Sequence, residues 1–179
     1  PAGYMYKKIT ATPEWLTAKN VQDIYSVSSC ISDDFMDYID FWKHNGYWLF
    51  DSPEIMEELA REQSVDLSQM KLFYYEVLEA QYDDSEKKWH WFEADESFVT
   101  AVRAPATKRL EGFDIATFVA QSHPECSPLS CNSLATEILT NEHCLLASFD
   151  EARSLLATGK FKDCEPGPYR IVAVYSVDR

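Results

Sequence analysis

YWLFDSPEIMEELA, residues 47–60, is the stretch on which the reading of the fold turns. It predicts a short apolar strand, a helix start and an amphipathic helix. At a constant offset of 97 residues the pattern returns as CLLASFDEARSLLA, residues 144–157. Leu49 then falls on Leu146, Glu54 on Glu151, Leu59 on Leu156 and Ala60 on Ala157. Chance would give roughly one identity over a window of that length. The helix starts echo each other as well. Asp51 and Ser148 each stand three residues before a glutamate, Glu54 or Glu151, the spacing of a reciprocal N-terminal cap. Pro53 suits the first turn, where its missing N–H is not needed.

The match extends outward without gaps. Downstream, YYEVL at 74–78 falls on IVAVY at 171–175, both strand-like; upstream, 34–45 falls on 131–142. The sequence therefore predicts an α+β fold of two pseudo-repeated strand–helix–strand–helix–strand halves, forming a mixed sheet packed with short helices. The expected boundaries are 1–95 for the first repeat plus a hairpin, 96–110 for a connection and 111–179 for the second repeat, together one compact unit.

Within this frame the elements follow from periodicity and punctuation. Thr12-Pro13 predicts a short helix start. Residues 21–32, rich in β-branched residues and serine, predict a strand with Ile24, Ser26, Ser28 and Cys30 on one face. Phe35, Tyr38, Ile39 and Trp42 recur at helical spacing and predict a helix over 33–45, stopped at Asn45-Gly46. Residues 47–50 read as a strand and 53–63 as a helix with Ile55, Met56 and Leu59 inward. Residues 70–82 read as a long strand turned back by 83–87 into an arm over 88–93, with Trp89 and Trp91 on one face. The second half reads as strand 113–121, loop 123–132, helix 133–140, strand 143–147, helix 150–157 and strand 169–177. Pro1-Ala2-Gly3-Tyr4 reads as an added remnant ahead of a natural start at Met5.

Composition narrows the function. The 179 residues carry a net charge of −14 with 46% hydrophobic residues, enough for a packed core. Such a chain repels nucleic acid and anionic membranes and favours a basic protein partner. The aspartates Asp33, Asp37 and Asp40 on the expected helix, with Asp83 and Asp84 in the hairpin turn, are the candidate partner-binding carboxylates. The five cysteines are an odd, unevenly spaced set and read as reduced thiols of a cytoplasmic protein. Oligomeric state is left open.

One segment is chemically dense: HPECSPLSCN at 123–132, followed by His143-Cys144. It breaks the repeat, since the 97-residue offset sets Cys131 against Asp34 and Cys126 against Ser29. His123, Cys126, Cys131 and His143 supply a borderline-soft ligand set for zinc. Cys131, at the start of the expected helix, with His143 as its base, supplies a nucleophile–base pair. Against both stands the reading in which these cysteines are small buried residues. The sequence favours an acidic, non-catalytic cytosolic binding protein, such as an inhibitor or immunity-type partner of a basic protein. The alternative is a cysteine-dependent enzyme or zinc-binding protein built on the 123–143 segment.

Overall fold

The computed structural model describes residues 1–40, 44–78, 80–92, 101–118 and 124–179. Trp42 of the expected helix, Glu93 at the end of the hairpin, the far end of the strand expected at 113–121 and His123 lie outside the described residues. The strands are β1 (Gly3–Lys8), β2 (Thr10–Ala11), β3 (Asp23–Ile24), β4 (Asp33–Asp34), β5 (Lys71–Val77), β6 (Ala80–Asp83), β7 (Lys88–Trp91), β8 (Arg109–Thr117) and β9 (Tyr169–Ser176). The helices are α1 (Pro53–Gln63) and α2 (Phe149–Leu156). The fold is thus α+β, and every strand pair among the described residues is antiparallel.

β9 is the spine of the main sheet. One side of it pairs with β8 along its full length; the other pairs with β5 and, at Tyr169↔Tyr82, with β6. β1 adds to β5, β4 to β1 and β7 to β6. Strand alternation assigns the faces. Tyr6 and Phe113 point to one face, where α1 meets β1 through a hydrogen bond from Tyr6 Oη to Glu57 and α2 meets β8 through the Phe149 ring against Phe113. Lys7 and Asp114 point to the other face.

Both helices form where the sequence places them. Ser148 caps α2 by accepting from the Glu151 amide at 3.1 Å, and Glu151 reaches back to the Ala147 amide. α1 is capped one residue later than expected: Ser52, not Asp51, is its N-cap. Asp51 is instead drawn off to accept from Asn45 Nδ2 and the Ala101 amide. Ser52 matches Ser148 at an offset of 96, one less than the offset read from the sequence. At an offset of 96 the buried positions Met56 and Ala60 of α1 fall on the buried Ala152 and Leu156 of α2.

An asparagine corner precedes each helix and joins it to a strand. Asn45 Nδ2 donates to the Ala2 carbonyl (2.7 Å), and its Oδ1 accepts from the Tyr47 and Leu49 amides. Asn141 Nδ2 donates to the Glu111 carbonyl (2.7 Å), and its Oδ1 accepts from the His143 and Leu145 amides. Phe50 exchanges backbone bonds with Tyr4, as Leu146 does with Phe113. Trp48 and Cys144, at φ 57° and 63°, turn the chain in each corner. Gly3 and Gly112 face these corners. A Cβ there would meet the backbone oxygen of Phe50 at 2.9 Å or of Leu146 at 2.8 Å, and both glycines have positive φ.

Several expected elements are replaced. The segment at 21–32 is strand only at Asp23–Ile24, and the remainder crosses the sheet face as an irregular strap. Its backbone is held by Lys7 and Asp114 and so needs no ladder. The helix expected over 33–45 is not formed in the described residues: Asp33–Asp34 pairs with β1, a single 3-10 turn spans Phe35–Tyr38, and Ile39 is extended. Burial of Asp34 beside Lys7 overrides local helix periodicity. The helix expected at 133–140 shrinks to a 3-10 turn over Leu134–Thr136. The strands expected at 47–50 and 143–147 are single bridges, because the asparagine corners consume their backbone groups. The long strand at 70–82 divides into β5 and β6. Residues 13–16 turn without forming a helix, and residues 1–4 are part of the fold, with Ala2 fully buried. Among the described residues no helix is long and apolar enough to cross a membrane.

Candidate functional site

The strap and the loop after β8 meet on the face that carries Lys7 and Asp114. Lys7 Nζ, 1% exposed, donates to the carbonyls of Ser26 (2.8 Å), Val27 (3.2 Å) and Ser28 (3.0 Å) and lies 3.1 Å from Asp34 Oδ1. An ammonium taken out of water is stable only when so surrounded. Asp114, fully buried, is its counterpart. Its Oδ2 accepts from Ser26 Oγ (2.9 Å) and the Val27 amide (3.0 Å); its Oδ1 accepts from the Ile115 amide (2.9 Å) and Ser127 Oγ. One carboxylate thereby ties the strap to the loop at 124–132. Burial pushes the carboxyls of Asp34 and Asp114 upward; the Lys7 charge opposes it at Asp34, and hydrogen bonds from Ser127, Val27 and Ser26 oppose it at Asp114.

Three thiols converge where these segments touch. The Sγ atoms of Cys30, Cys126 and Cys131 all lie within 4.8 Å of one another. Cys30 is exposed, Cys126 buried and Cys131 half-buried. Each is mounted on a fixed backbone. The Cys30 amide donates to Ser28 Oγ, and Ser28 Oγ and Cys30 Sγ both donate to the Glu125 carbonyl, at 2.8 and 2.9 Å. Cys126 is pinned to the end of β8 by its amide to Thr117 Oγ1 (3.2 Å) and by its carbonyl, which accepts from the Thr117 amide (2.8 Å). The Cys131 amide closes a turn onto the Ser127 carbonyl (2.8 Å). Hydrogen bonds from Cys126 and Cys131 pull the Cys30 thiol well below its ordinary range against the effect of burial, and Ser28 and Lys7 add to them. The Cys126 thiol is pushed up by its hydrogen bonds to Cys131 and Cys30 and by burial. For Cys131 the hydrogen bond with Cys126 lowers the thiol, but Cys30 and burial outweigh it and the net shift is upward.

Of the residues singled out in the sequence, Cys126 and Cys131 come together. His143 is not among the groups clustered with them. Its Nδ1 lies 2.5 Å from Asp23 Oδ1, its ring stacks on Tyr25 at 3.9 Å, and its Nε2 faces Glu142 and Glu111 at 3.6 and 3.9 Å. Cys144 and Cys164 stand apart from the trio, and burial raises their thiols to about 12 and about 11. Cys30 was not chosen from the sequence. A signal was present, however: the offset of 96 that matches the helix caps also sets Cys30 against Cys126.

The nominated aspartates are spread along the chain's own hydrogen bonds. Asp33 is exposed and accepts from Tyr38 Oη (3.1 Å), and Asp37 accepts from the Asp34 amide (2.8 Å). Asp40 is exposed. Asp83 closes the hairpin turn through the Ser85 and Glu86 amides, and Asp84 accepts from the Gly167 amide (3.2 Å). Compared with known proteins, the chain matches no family model, no curated protein and no solved structure.

Proposed function

We propose that the chain binds a thiophilic metal ion of the zinc or copper(I) class through Cys30, Cys126 and Cys131. The observation that supports this is the convergence of three sulfur atoms within 4.8 Å from two segments far apart in sequence. Sulfur donors select such ions over hard cations, and Zn–S distances near 2.3 Å bring bound sulfurs close to one another. The strap and loop supply a preorganised mount, because both hang from Asp114. The test is elemental analysis of the reduced chain after loading with Zn(II) or Cu(I) and removal of loosely held ions. About one equivalent is expected. Cys126→Ser and Cys131→Ser should lose it, and Cys164→Ser should keep it. A Cys30→Ser/Cys126→Ser/Cys131→Ser variant that retains the ion would overturn the reading.

A second reading uses the charge of −14. In it, the exposed carboxylates Asp33, Asp37 and Asp40 dock a basic protein partner, with association speeded at low salt. Asparagine at all three positions should slow association with a basic partner and weaken its salt dependence; unchanged kinetics would count against it.

The two halves are further proposed to descend from one copied module. Matched bonds at Asn45 and Asn141 support this, as do the matched caps Ser52 and Ser148. Replacing residues 45–52 by the sequence of 141–148 should then give a chain that folds with an unchanged circular-dichroism spectrum, less stable because Phe50 becomes leucine. An unfolded chimera would argue against interchangeable corners.

A further inference from the structure

We propose that Cys30 is a site of oxidation by hydroperoxides, which closes a disulfide onto Cys126 or Cys131 and so removes the metal site. This regulation rests on the metal reading given above. It is carried by the graded exposure of the three sulfurs. Cys30 stands at the rim, whereas Cys126 is buried and Cys131 half-buried. A peroxide arriving from solvent meets Cys30 first. The other two sulfurs lie within 4.8 Å of it, so a modest approach completes an S–S bond of about 2.05 Å. Neither Cys144 nor Cys164 belongs to this group.

The steps balance. The Cys30 sulfur attacks one peroxide oxygen, the O–O bond breaks, and the second oxygen leaves as water, or as the alcohol where the oxidant is an organic hydroperoxide, giving a sulfenic acid on Cys30. The sulfur of Cys126 or Cys131 then attacks the Cys30 sulfur, the S–O bond breaks, and a second water leaves with the thiol proton. Two thiols lose two electrons in all and the peroxide gains them. A metal held by three thiols loses two of its ligands at once. The Cys30 end of the new disulfide stays at the rim, open to a small-thiol reductant.

The experiment uses the full-length, metal-free, reduced chain and hydrogen peroxide, with alkylation and mass spectrometry to count free thiols. The five thiols of the reduced chain should fall to three, with Cys30 mapped to Cys126 or Cys131. Cys30→Ser should slow the loss about tenfold or more, and Cys164→Ser should react like the parent. The oxidised chain should bind no Zn(II) until dithiothreitol restores five thiols. Five thiols still labelled after peroxide, a disulfide that excludes Cys30, equal rates in the parent and Cys30→Ser, or undiminished Zn(II) binding after oxidation would each overturn the proposal. A reduced chain that takes up no Zn(II) or Cu(I) overturns the metal reading instead, and disulfide mapping then still decides the oxidation of Cys30.

Discussion

Replacing Asp114 by alanine should damage the fold more than most single changes in the core. Asp114 is fully buried and accepts from four donors: Ser26 Oγ, the Val27 amide, the Ile115 amide and Ser127 Oγ. Alanine leaves all four buried without a partner. Each stranded donor costs about 1–3 kcal/mol, so even the lower figure at every donor gives about 4 kcal/mol. That is a large part of the roughly 5–15 kcal/mol that keeps a domain folded. Asparagine keeps the shape and one acceptor oxygen but turns an NH2 group toward donors, so it should cost about half as much. Urea unfolding followed by tryptophan fluorescence gives the stability change, and metal loading of Asp114→Asn tests whether the thiols are still held together. A loss under about 1 kcal/mol for Asp114→Ala would refute the claim that this carboxylate ties the strap to the loop.

Other measurements probe the same framework. Tyr75 Oη is fully buried without a hydrogen-bond partner among the described residues, so Tyr75→Phe should be neutral or stabilising by about 1 kcal/mol in the same urea assay. Gly112→Ala and Gly3→Ala should each cost about 2 kcal/mol or more, because the new Cβ meets a backbone oxygen at positive φ; Gly159→Ala, in open space at φ 74°, should cost about 1 kcal/mol. Burial pushes the Glu76 carboxyl up, but hydrogen bonds from Lys108, Tyr175 and Tyr74 outweigh it and leave it below the usual range. Glu111 behaves alike: burial raises it, and Ser176, Arg109 and Lys71 bring it below. Folded values below the unfolded value of about 4.3 mean that this stabilisation is present above that pH and is lost as pH falls through the lower folded values. Melting temperature measured from pH 6 downward should therefore fall less steeply in Glu76→Gln/Glu111→Gln than in the parent.

Elements governed by neighbouring residues were legible in the chain. Both amphipathic helices, the Asp83 hairpin turn and the closing strand were placed within a residue or two of where they lie, because periodicity, caps and turn chemistry act over a few positions. The cap of the first helix, however, was read one residue early. Asp51 and Ser52 are both good caps, and the choice fell to Asn45 and Ala101, which draw Asp51 away. Two of the three clustered thiols were legible too, since Cys126 and Cys131 lie in one loop.

What the sequence alone determined about this protein is local: the two capped amphipathic helices at 53–63 and 149–156, the hairpin turn, and that the chain is acidic with a core's worth of apolar residues. The tertiary structure decided that residues 21–32 form a strap and that Cys30 reaches the other two sulfurs. The physical reason is that a buried ammonium and a buried carboxylate must find their partners wherever the folded chain presents them. Lys7 and Asp114 find theirs in a segment remote from one or both, and its backbone follows those bonds in preference to its own periodicity.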